Sequence, residues 1–340
     1  MSAARPDVAL DVPRTRHMST GMLAYADELA ARLPRVAPDL TFVAFARTQS
    51  LTLGEQLVLP WRLRRAQPRL VHFLSVYAPL LAPRPYAITI HDLIHLRYPQ
   101  YFKRSVGPYY ASVVSAVCAG AARVITDDAR TVGDLERFLG VRSDKVRVIP
   151  LGVDDAYRAD AEPERGERPY FLYVGNHRPH KDLATLFAAW EALEPQLEAD
   201  LYLTGPDDLE PALRRPQRVA GSLRFLGGVS VERLRKLYAG AVALVHPSLC
   251  EGFGLPLLEA ASVGARVIAC ADAIPGTLRP YVDSFAPRDV RALTGLMANA
   301  AQNPVPAPEA RRFARTQTWD RCAERTAEVY REVLEENRGR

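Results

Sequence analysis

Short apolar runs that read as buried strands alternate with helical stretches along this chain, in two successive series. Apolar residues recur at helical spacing over Leu23–Leu33 and Tyr109–Ala122. Strands that alternate with helices favour a parallel, doubly wound sheet, so the first half predicts one α/β domain. Its strand candidates are Val8–Val12, Thr41–Ala46, Leu70–Leu74, Tyr86–His91, Val124–Thr126 and Val146–Leu151.

The second series begins at Tyr170, after a polar, proline-containing stretch (154–169) that reads as a linker. An amphipathic helical pattern over about 311–336 ends the chain. The remaining candidates are the strands Tyr170–Val174, Leu201–Thr204, Leu223–Leu226, Val242–His246 and Val267–Cys270, and the helices Leu183–Leu193, Val231–Ala239 and Leu255–Ser262. Two doubly wound domains are expected to turn their carboxyl strand ends towards each other, which predicts a ligand cleft between them.

The segment 248–260 carries the most specific functional signal. It follows a buried strand candidate and opens with a glycine-rich turn, after which Pro256 stands at a plausible first helical position and Gly264 just past the helix end. A strand, a glycine turn and a helix together present backbone N–H groups and a positive helix end to a phosphate. The segment therefore predicts an anion site.

Two glutamates, Glu251 and Glu259, flank this expected anion site. Carboxylates beside a diphosphate would repel it, so we expect both to accept hydrogen bonds from sugar hydroxyls instead. A phosphate site with two acids of this kind indicates a nucleotide-sugar site.

Residues 248–260, Ser-Leu-Cys-Glu-Gly-Phe-Gly-Leu-Pro-Leu-Leu-Glu-Ala, resemble the Glu-x7-Glu signature of the retaining GT-B glycosyltransferases of family 4. The resemblance implies the α/β GT-B fold, in which two doubly wound parallel-sheet domains face a cleft and a C-terminal helix crosses back to the N-terminal domain. It implies an N-terminal acceptor-binding domain over 1–160, a nucleotide-sugar-binding domain over 168–312 and the crossing helix within 313–340. Bacterial mannosyl- and related hexosyltransferases are the most similar members.

The turn 174–182 resembles the family's Val-Gly-(Arg)-x-x-x-x-Lys segment, in which the lysine contacts the donor phosphates. The chain departs from this pattern, because Asn176 replaces the usual arginine and His180 the arginine that often precedes the lysine. The resemblance leaves open which residue supplies the second positive charge. It implies the donor-binding residues Gly21, Gly175, Asn176, Arg178, Lys181, Glu251, Gly252, Phe253, Gly254, Leu255 and Glu259.

Tyr86–His91 is a strand candidate that ends in the polar pair His91 and Asp92. Strand-end residues face the ligand in doubly wound folds. In the family a histidine here contacts the transferred sugar, which implies the catalytic set His91, Lys181 and Glu251. His95 and Tyr98, with Asp92, are candidate acceptor residues.

The loop 17–22 partly resembles the family's glycine-rich loop near the donor phosphate, because Gly21 is kept while a glycine pair is missing. Ser19 and Thr20 in this loop are equally good N-caps for the helix that follows.

The resemblance implies retention by a front-face, ion-pair-like substitution that is independent of metal ions and cofactors. The chain carries no Asp-x-Asp motif. The expected co-substrate is a nucleotide diphosphate sugar, GDP- or UDP-hexose, and the expected acceptor is a saccharide, a lipid-linked glycan or a natural product. The alternatives are a non-catalytic sugar-nucleotide-binding subunit, which the change at Asn176 motivates, and another GT-B enzyme such as a sugar-nucleotide epimerase.

Basic charge is concentrated in the first part of the chain: residues 1–160 hold 21 Lys and Arg against 15 Asp and Glu. Between 51 and 105, eight basic residues oppose only Glu55 and Asp92. This basic region is either a solvated surface or a peripheral membrane contact. The sequence has no recognisable nucleic-acid-binding motif, so no nucleic-acid partner is expected. Four widely spaced cysteines and the lack of an apolar signal core predict a cytoplasmic protein.

Overall fold

The computed structural model describes residues 5–15, 18–47, 53–193, 197–209, 213, 221–304 and 307–338. The chain divides into two compact units: residues 1–152 with 319–340 form the first, and residues 153–318 form the second. Each unit is built on one six-stranded sheet in which every strand pair is parallel. The two predicted α/β domains are therefore confirmed as doubly wound sheets.

The first unit has the strand order β2-β1-β3-β4-β5-β6. Its strands are β1 (Val8–Pro13), β2 (Phe42–Arg47), β3 (Leu70–Phe73), β4 (Tyr86–Thr89), β5 (Arg123–Thr126) and β6 (Val146–Val148). Its helices before residue 152 are α1 (Thr20–Val36), α2 (Leu53–Ala66), α3 (Ile94–Arg97), α4 (Val106–Tyr109), α5 (Ser115–Gly120) and α6 (Ala129–Leu139). A π-helical turn, Tyr110–Val114, joins α4 to α5. The predicted helix Tyr109–Ala122 is therefore helical as far as Gly120, but its first part is a π-helix and not an α-helix.

The second unit has the strand order β12-β11-β10-β7-β8-β9. Its strands are β7 (Tyr170–Tyr173), β8 (Asp200–Leu203), β9 (Leu223–Phe225), β10 (Ala243–His246), β11 (Val267–Cys270) and β12 (Asp283–Phe285). Its helices are α7 (Asp155–Arg158), α8 (Leu183–Ala192), α9 (Val231–Gly240), α10 (Leu255–Val263), α11 (Val290–Gln302) and α12 (Pro308–Thr316).

The last helix, α13 (Trp319–Glu336), belongs to the first unit. It packs against α1 and β3, and the Glu332 carboxylate accepts hydrogen bonds from Arg123 and Arg147 on strands β5 and β6. The predicted return of the C-terminal helix to the N-terminal domain is confirmed. The predicted continuous helix over 311–336 is wrong, because the chain leaves helical geometry at Gln317 and Thr318 between α12 and α13.

Candidate functional site

The glycine turn after β7 and the turn after β10 meet in the second unit. These two strands are neighbours in the sheet, so their carboxyl ends lie at the same edge. The amide of Leu249 donates a hydrogen bond to the carbonyl of His180 at 2.9 Å and ties one turn to the other. Lys181 and Glu251, which are 70 positions apart in the sequence, are thereby brought together.

The Lys181 Nζ donates to Glu251 Oε1 in an ion pair whose side chains are 10% and 12% exposed. Burial alone would raise the pKa of the Glu251 carboxyl, but the Lys181 ammonium and a hydrogen bond from His246 hold it well below its usual value. Glu251 is therefore ionised throughout the physiological pH range. An ionised acid beside an ammonium group can bind sugar hydroxyls and a phosphate within one small region.

His246 is a member of this cluster that the sequence reasoning missed. It is fully buried, its Nε2 lies 2.6 Å from Glu251 Oε1, and its ring stacks on that of Tyr173. The carboxylate can only accept, so Nε2 carries the proton and orients Glu251. The available signal was its position as a polar residue at the end of a buried strand, which is the pattern that singled out His91.

The turn after β7 leaves no room for a side chain at Gly175, because a Cβ there would lie 2.9 Å from the Tyr173 hydroxyl oxygen. That hydroxyl donates to the carbonyl of Asn176 at 2.5 Å. Asn176 is exposed, and its Oδ1 accepts a hydrogen bond from the amide of Arg178 at 3.3 Å. The asparagine thus stabilises the turn, and the Arg178 side chain points to an exposed position.

His177 supplies a second connection that the sequence reasoning missed. Its Nδ1 lies 2.5 Å from Asp208 Oδ1 and its Nε2 lies 2.9 Å from the carbonyl oxygen of Thr204. Both contacts have hydrogen-bond length, one to a carboxylate and one to a backbone carbonyl. The histidine fastens the turn after β7 to the loop that follows β8.

Helix α10 begins directly after the glycine turn that contains Gly252 and Phe253. Gly254 stands at its N-cap with a left-handed φ of +84°, where a side chain would be strained. The backbone amides of a first helical turn have no intrahelical acceptor, and the helix dipole makes this end positive. The glycine turn and helix start that the sequence predicted are present, and the use of the turn from Glu251 to Leu255 as an anion site stays a prediction.

Glu259 lies on α10 in a different environment from Glu251. Its Oε2 accepts a hydrogen bond from the Tyr238 hydroxyl at 3.0 Å. Burial raises the pKa of the Glu259 carboxyl to about 7, with a smaller contribution from Asp154. The two signature glutamates thus differ in charge near neutral pH, which follows from their neighbours and not from their spacing.

In the first unit, His91 and Asp127 meet at the carboxyl ends of the adjacent strands β4 and β5. The His91 Nδ1 lies 2.6 Å from Asp127 Oδ2, and the two side chains are 10% and 2% exposed. Burial alone would lower the pKa of His91, but the Asp127 carboxylate raises it above its usual value. The Nε2 of His91 is buried and makes no hydrogen bond of ordinary length among the described residues, and the backbone of Leu74 also contributes to the raised pKa of the ring.

A series of hydrogen-bonded side chains connects the residue that packs on the His91 ring to the last helix, α13. Tyr25 contacts the ring edge-on at 4.7 Å between centroids, and its hydroxyl lies 2.8 Å from Thr89 Oγ1. Thr89 also meets Nε2 of His72, whose Nδ1 lies 2.6 Å from the Tyr330 hydroxyl on α13. Complete burial lowers the pKa of His72 to about 3, so it stays neutral. The returning helix therefore helps to hold the candidate site of this unit.

The candidate acceptor residues lie on and beside α3. Asp92 Oδ1 accepts a hydrogen bond from the amide of Ile94, the first residue of the helix, at 3.1 Å. His95 packs against Phe102, and Tyr98 stacks on Tyr101. Asp92 is close enough to the His91–Asp127 pair for its charge to raise the pKa of both groups, whereas His95 and Tyr98 contact the aromatic rings of the segment that follows.

Gly21 is the second residue of α1, whose N-cap is Ser19; the Ser19 hydroxyl accepts from the amide of Met22 at 3.3 Å. His17, from the same predicted loop, lies outside the described residues. Over the described part of the chain, no group of three or more His, Cys, Asp or Glu side chains is arranged to hold a metal ion.

Both halves of the chain match glycosyltransferase families. Residues 19–157 match the family described as Glycosyltransferase Family 4, and residues 168–303 match Glycosyl transferases group 1. The O-antigen chain mannosyltransferase B of Escherichia coli is 27% identical over 318 residues, covering 85% of this chain and 82% of the relative. The O-antigen chain mannosyltransferase RfbU of Salmonella typhimurium is 28% identical and covers 56% of this chain. The chain spans about half of RfbU and about a third of the Escherichia coli mannosyltransferase WbdA, which is 28% identical over 69% of this chain.

Solved structures with the GT-B fold are similar over nearly the whole chain. A glycosyltransferase from Rickettsia africae superposes with a TM-score of 0.72 at 16% identity, covering 98% of this chain and 99% of its own. The Anabaena protein HepE, solved in complex with UDP and glucose, gives a TM-score of 0.70 at 16% identity, covering 96% and 100%. These similarities confirm the GT-B fold expected from the sequence.

Proposed function

This chain belongs to the family 4-like GT-B glycosyltransferases, and from that premise we propose that it moves a mannose-type hexose from a nucleotide diphosphate sugar to a saccharide, lipid-linked or small-molecule acceptor. The observation that carries the proposal is the cluster of Lys181, Glu251 and His246 at the ends of two adjacent parallel strands. It immediately precedes the helix start at Gly254, which offers backbone amides to a diphosphate.

Each donor group has a residue suited to it in the second unit. Lys181 and the amides of the turn 252–255 would bind the diphosphate, Glu251 the sugar hydroxyls, and Glu259 the ribose. The structure of HepE with UDP and glucose, a protein of the same fold, supports a nucleotide-sugar donor of this kind. The relatives are O-antigen chain mannosyltransferases, which supports mannose as the sugar and a glycan as the acceptor.

The proposed reaction retains the anomeric configuration by substitution on one face of the sugar. The bond from the anomeric carbon to the β-phosphate oxygen breaks, the acceptor oxygen bonds to that carbon, and the acceptor's proton passes to the departing phosphate oxygen. Lys181 would stabilise the charge that develops on the leaving group, which places the positive charge on a side chain and requires no metal ion. His91, held by Asp127, would donate from Nε2 to a sugar hydroxyl.

The function is tested by a thermal-shift screen against GDP-, UDP- and dTDP-sugars, followed by product analysis with the best donor. We expect one nucleotide to raise the unfolding temperature and the donor to be hydrolysed or transferred, with NMR of the product showing a retained anomeric configuration. Binding without turnover over a broad acceptor panel would identify a non-catalytic subunit. Conversion of the donor to its epimer would identify a sugar-nucleotide epimerase.

Nucleotide affinity is expected to depend on pH through Glu259. The ribose hydroxyls donate to the carboxylate, so the ionised form binds more tightly, and the pKa of about 7 places this change near neutrality. Between pH 8 and pH 6 the dissociation constant for the nucleoside diphosphate should rise by about tenfold. Isothermal titration calorimetry measures this, and Glu259→Gln should remove the slope.

Glu232→Gln is the matched control, because Glu232 is an exposed glutamate on the neighbouring helix α9. It should keep the wild-type dependence on pH. A slope that persists in Glu259→Gln would assign the titration to another group.

A further inference from the structure

The ends of β8 and β9 are joined to the turn after β7 at the carboxyl edge of the second sheet. The amide of Gly175 donates to Thr204 Oγ1 at 3.1 Å, and His177 Nε2 lies 2.9 Å from the Thr204 carbonyl oxygen. Gly205 and Gly227 exchange two backbone hydrogen bonds, of 2.8 and 3.0 Å. One continuous, hydrogen-bonded surface therefore runs from the turn after β7 to the end of β9.

Glycines keep part of this surface free of side chains. Gly205 and Gly227 have left-handed φ values of +90° and +65°, which strain other residues. A Cβ at Gly227 or Gly228 would meet no atom of the described residues within 4 Å, so the space beside them is open there. We call Gly205, Gly227 and Gly228 the glycine shelf. A fixed backbone surface of this kind lets a flat ring approach closely.

A carboxylate stands beside the glycine shelf. Asp208 is 59% exposed, and its Oδ1 lies 2.5 Å from Nδ1 of His177, whose side chain is 2% exposed. The His177 ring also faces Gly205, where a Cβ would lie 3.3 Å from it. The buried histidine therefore fixes the position of the carboxylate. A carboxylate can accept about four hydrogen bonds, so the contact with His177 leaves Asp208 able to accept from a ligand.

The glycine shelf lies within the reach of a nucleoside from the turn that carries Lys181. Strands β7, β8 and β9 are consecutive in the sheet. Because neighbouring strands are about 4.8 Å apart, the ends of β8 and β9 are about 5 and 10 Å from the end of β7. A diphosphate held by Lys181 can therefore be followed along this edge by the base of the same nucleotide.

We propose that the glycine shelf binds the base of the donor nucleotide and that Asp208 selects guanine. The inference rests on the proposed function, because it concerns the same donor. Guanine presents two adjacent donors, N1–H and N2–H, and one carboxylate can accept from both. Uracil presents a single N–H between two carbonyl oxygens, which a carboxylate repels. Adenine presents its amino group beside an acceptor nitrogen, so it too lacks the pair of donors.

The test is isothermal titration calorimetry with GDP, IDP, UDP and ADP. IDP has the base edge of GDP without the 2-amino group, so it lacks one of the two hydrogen bonds to the carboxylate. The wild-type protein should bind GDP about 10- to 100-fold more tightly than IDP, which is the effect of one hydrogen bond to a charged group. UDP and ADP should bind about 100-fold more weakly than GDP, or weaker still.

Asp208→Asn removes the charge and keeps the shape of the side chain. GDP binding should weaken by about 10- to 100-fold, so that GDP and IDP bind with similar affinity. UDP should bind at least as tightly as it does to the wild type, because the repelling charge is gone, and this result also shows that the variant is folded. Asp207→Asn removes the same charge from the neighbouring exposed residue and should keep the wild-type order of affinities.

Two outcomes would overturn the role of Asp208 and leave the proposed function standing. The first is equal affinity of the wild type for GDP and IDP, which would show that the carboxylate does not read the base. The second is an equal loss of GDP and UDP affinity in Asp208→Asn, which would show that Asp208 only holds the turn through His177. Failure of every nucleoside diphosphate to bind would instead refute the proposed function, and this inference with it.

Discussion

Replacing Lys181 by methionine is expected to lower the rate of sugar transfer by about 100- to 1,000-fold, as loss of one electrostatic contact to a developing negative charge does elsewhere. Lys181 Nζ is the cation bonded to Glu251, and it stands in the turn expected to receive the diphosphate. The effect should appear in kcat more than in the affinity for donor, because charge on the leaving oxygen grows as the glycosidic bond breaks. Steady-state kinetics with the best donor measures it.

The same substitution also removes one member of a buried ion pair. An unpaired buried carboxylate costs about 3 kcal/mol or more in the free energy of unfolding, so K181M alone mixes a loss of chemistry with a loss of stability. The double variant K181M/E251Q removes both charges and should recover stability in urea unfolding while transfer stays lost. This comparison separates the catalytic role of Lys181 from its structural one.

Lys236→Ala is the matched lysine control. Lys236 is 40% exposed on α9 and pairs only at the surface with Glu232 among the contacts that the structure gives it. It should keep wild-type transfer and stability. Wild-type transfer in K181M as well would refute the proposed role of Lys181.

Replacing His91 by alanine is expected to lower kcat/KM by about 10- to 100-fold, which corresponds to one hydrogen bond from a charged donor. The His91 Nε2 is buried and aimed away from its partner Asp127, which holds Nδ1. A sugar hydroxyl bound to Nε2 would supply the missing acceptor. Transfer assays over a range of donor concentrations measure the change.

The Asp127→Asn variant tests the charge on His91. Asp127 raises the pKa of His91. In the wild type the imidazole therefore stays protonated on both nitrogens to a pH above the usual histidine pKa of about 6.5. The contribution of the pair to stability is complete below that range and is lost as pH rises through the raised pKa. In D127N we expect the alkaline fall in activity to move to lower pH.

The neighbouring Asp128 provides the control for this titration. Its carboxylate is the N-cap of α6 and accepts from the amide of Arg130, a role that asparagine fills equally well. D128N should therefore move the pH profile less than D127N does, because Asp128 acts on the pair through its charge on Asp127 and forms its own ion pair with Arg130. Identical profiles in D127N and the wild type would show that the Asp127 charge does not govern His91.

Many of the strands were predictable because they are short, buried apolar runs, as Tyr170–Tyr173 shows. Elements with mixed composition were missed. Helix α2 has Pro60 in its interior and exposed apolar residues, so its periodicity is weak. Helix α6 is short and charged, although its Asp128 cap and the left-handed Gly140 at its end were readable signals.

The candidate site was predictable to the level of motifs. Backbone geometry favours glycine at Gly175 and Gly254, so both turns could be located from the sequence. The spacing of Glu251 and Glu259 is visible in the sequence directly. His177 and His246 were missed. Their significance comes from partners that are distant in the sequence or from stacking between strands, and periodicity carries no information on either.

The sequence by itself determined two doubly wound units, the positions of the two glycine turns and the family resemblance, because apolar periodicity and glycine placement are local properties. Only the tertiary structure decided that Lys181 and His246 share one oxygen of Glu251. It also decided that Glu251 is ionised while Glu259 titrates near neutrality. The physical reason is that a pKa depends on burial and on neighbouring charges, and both are set by how separate strands and helices pack.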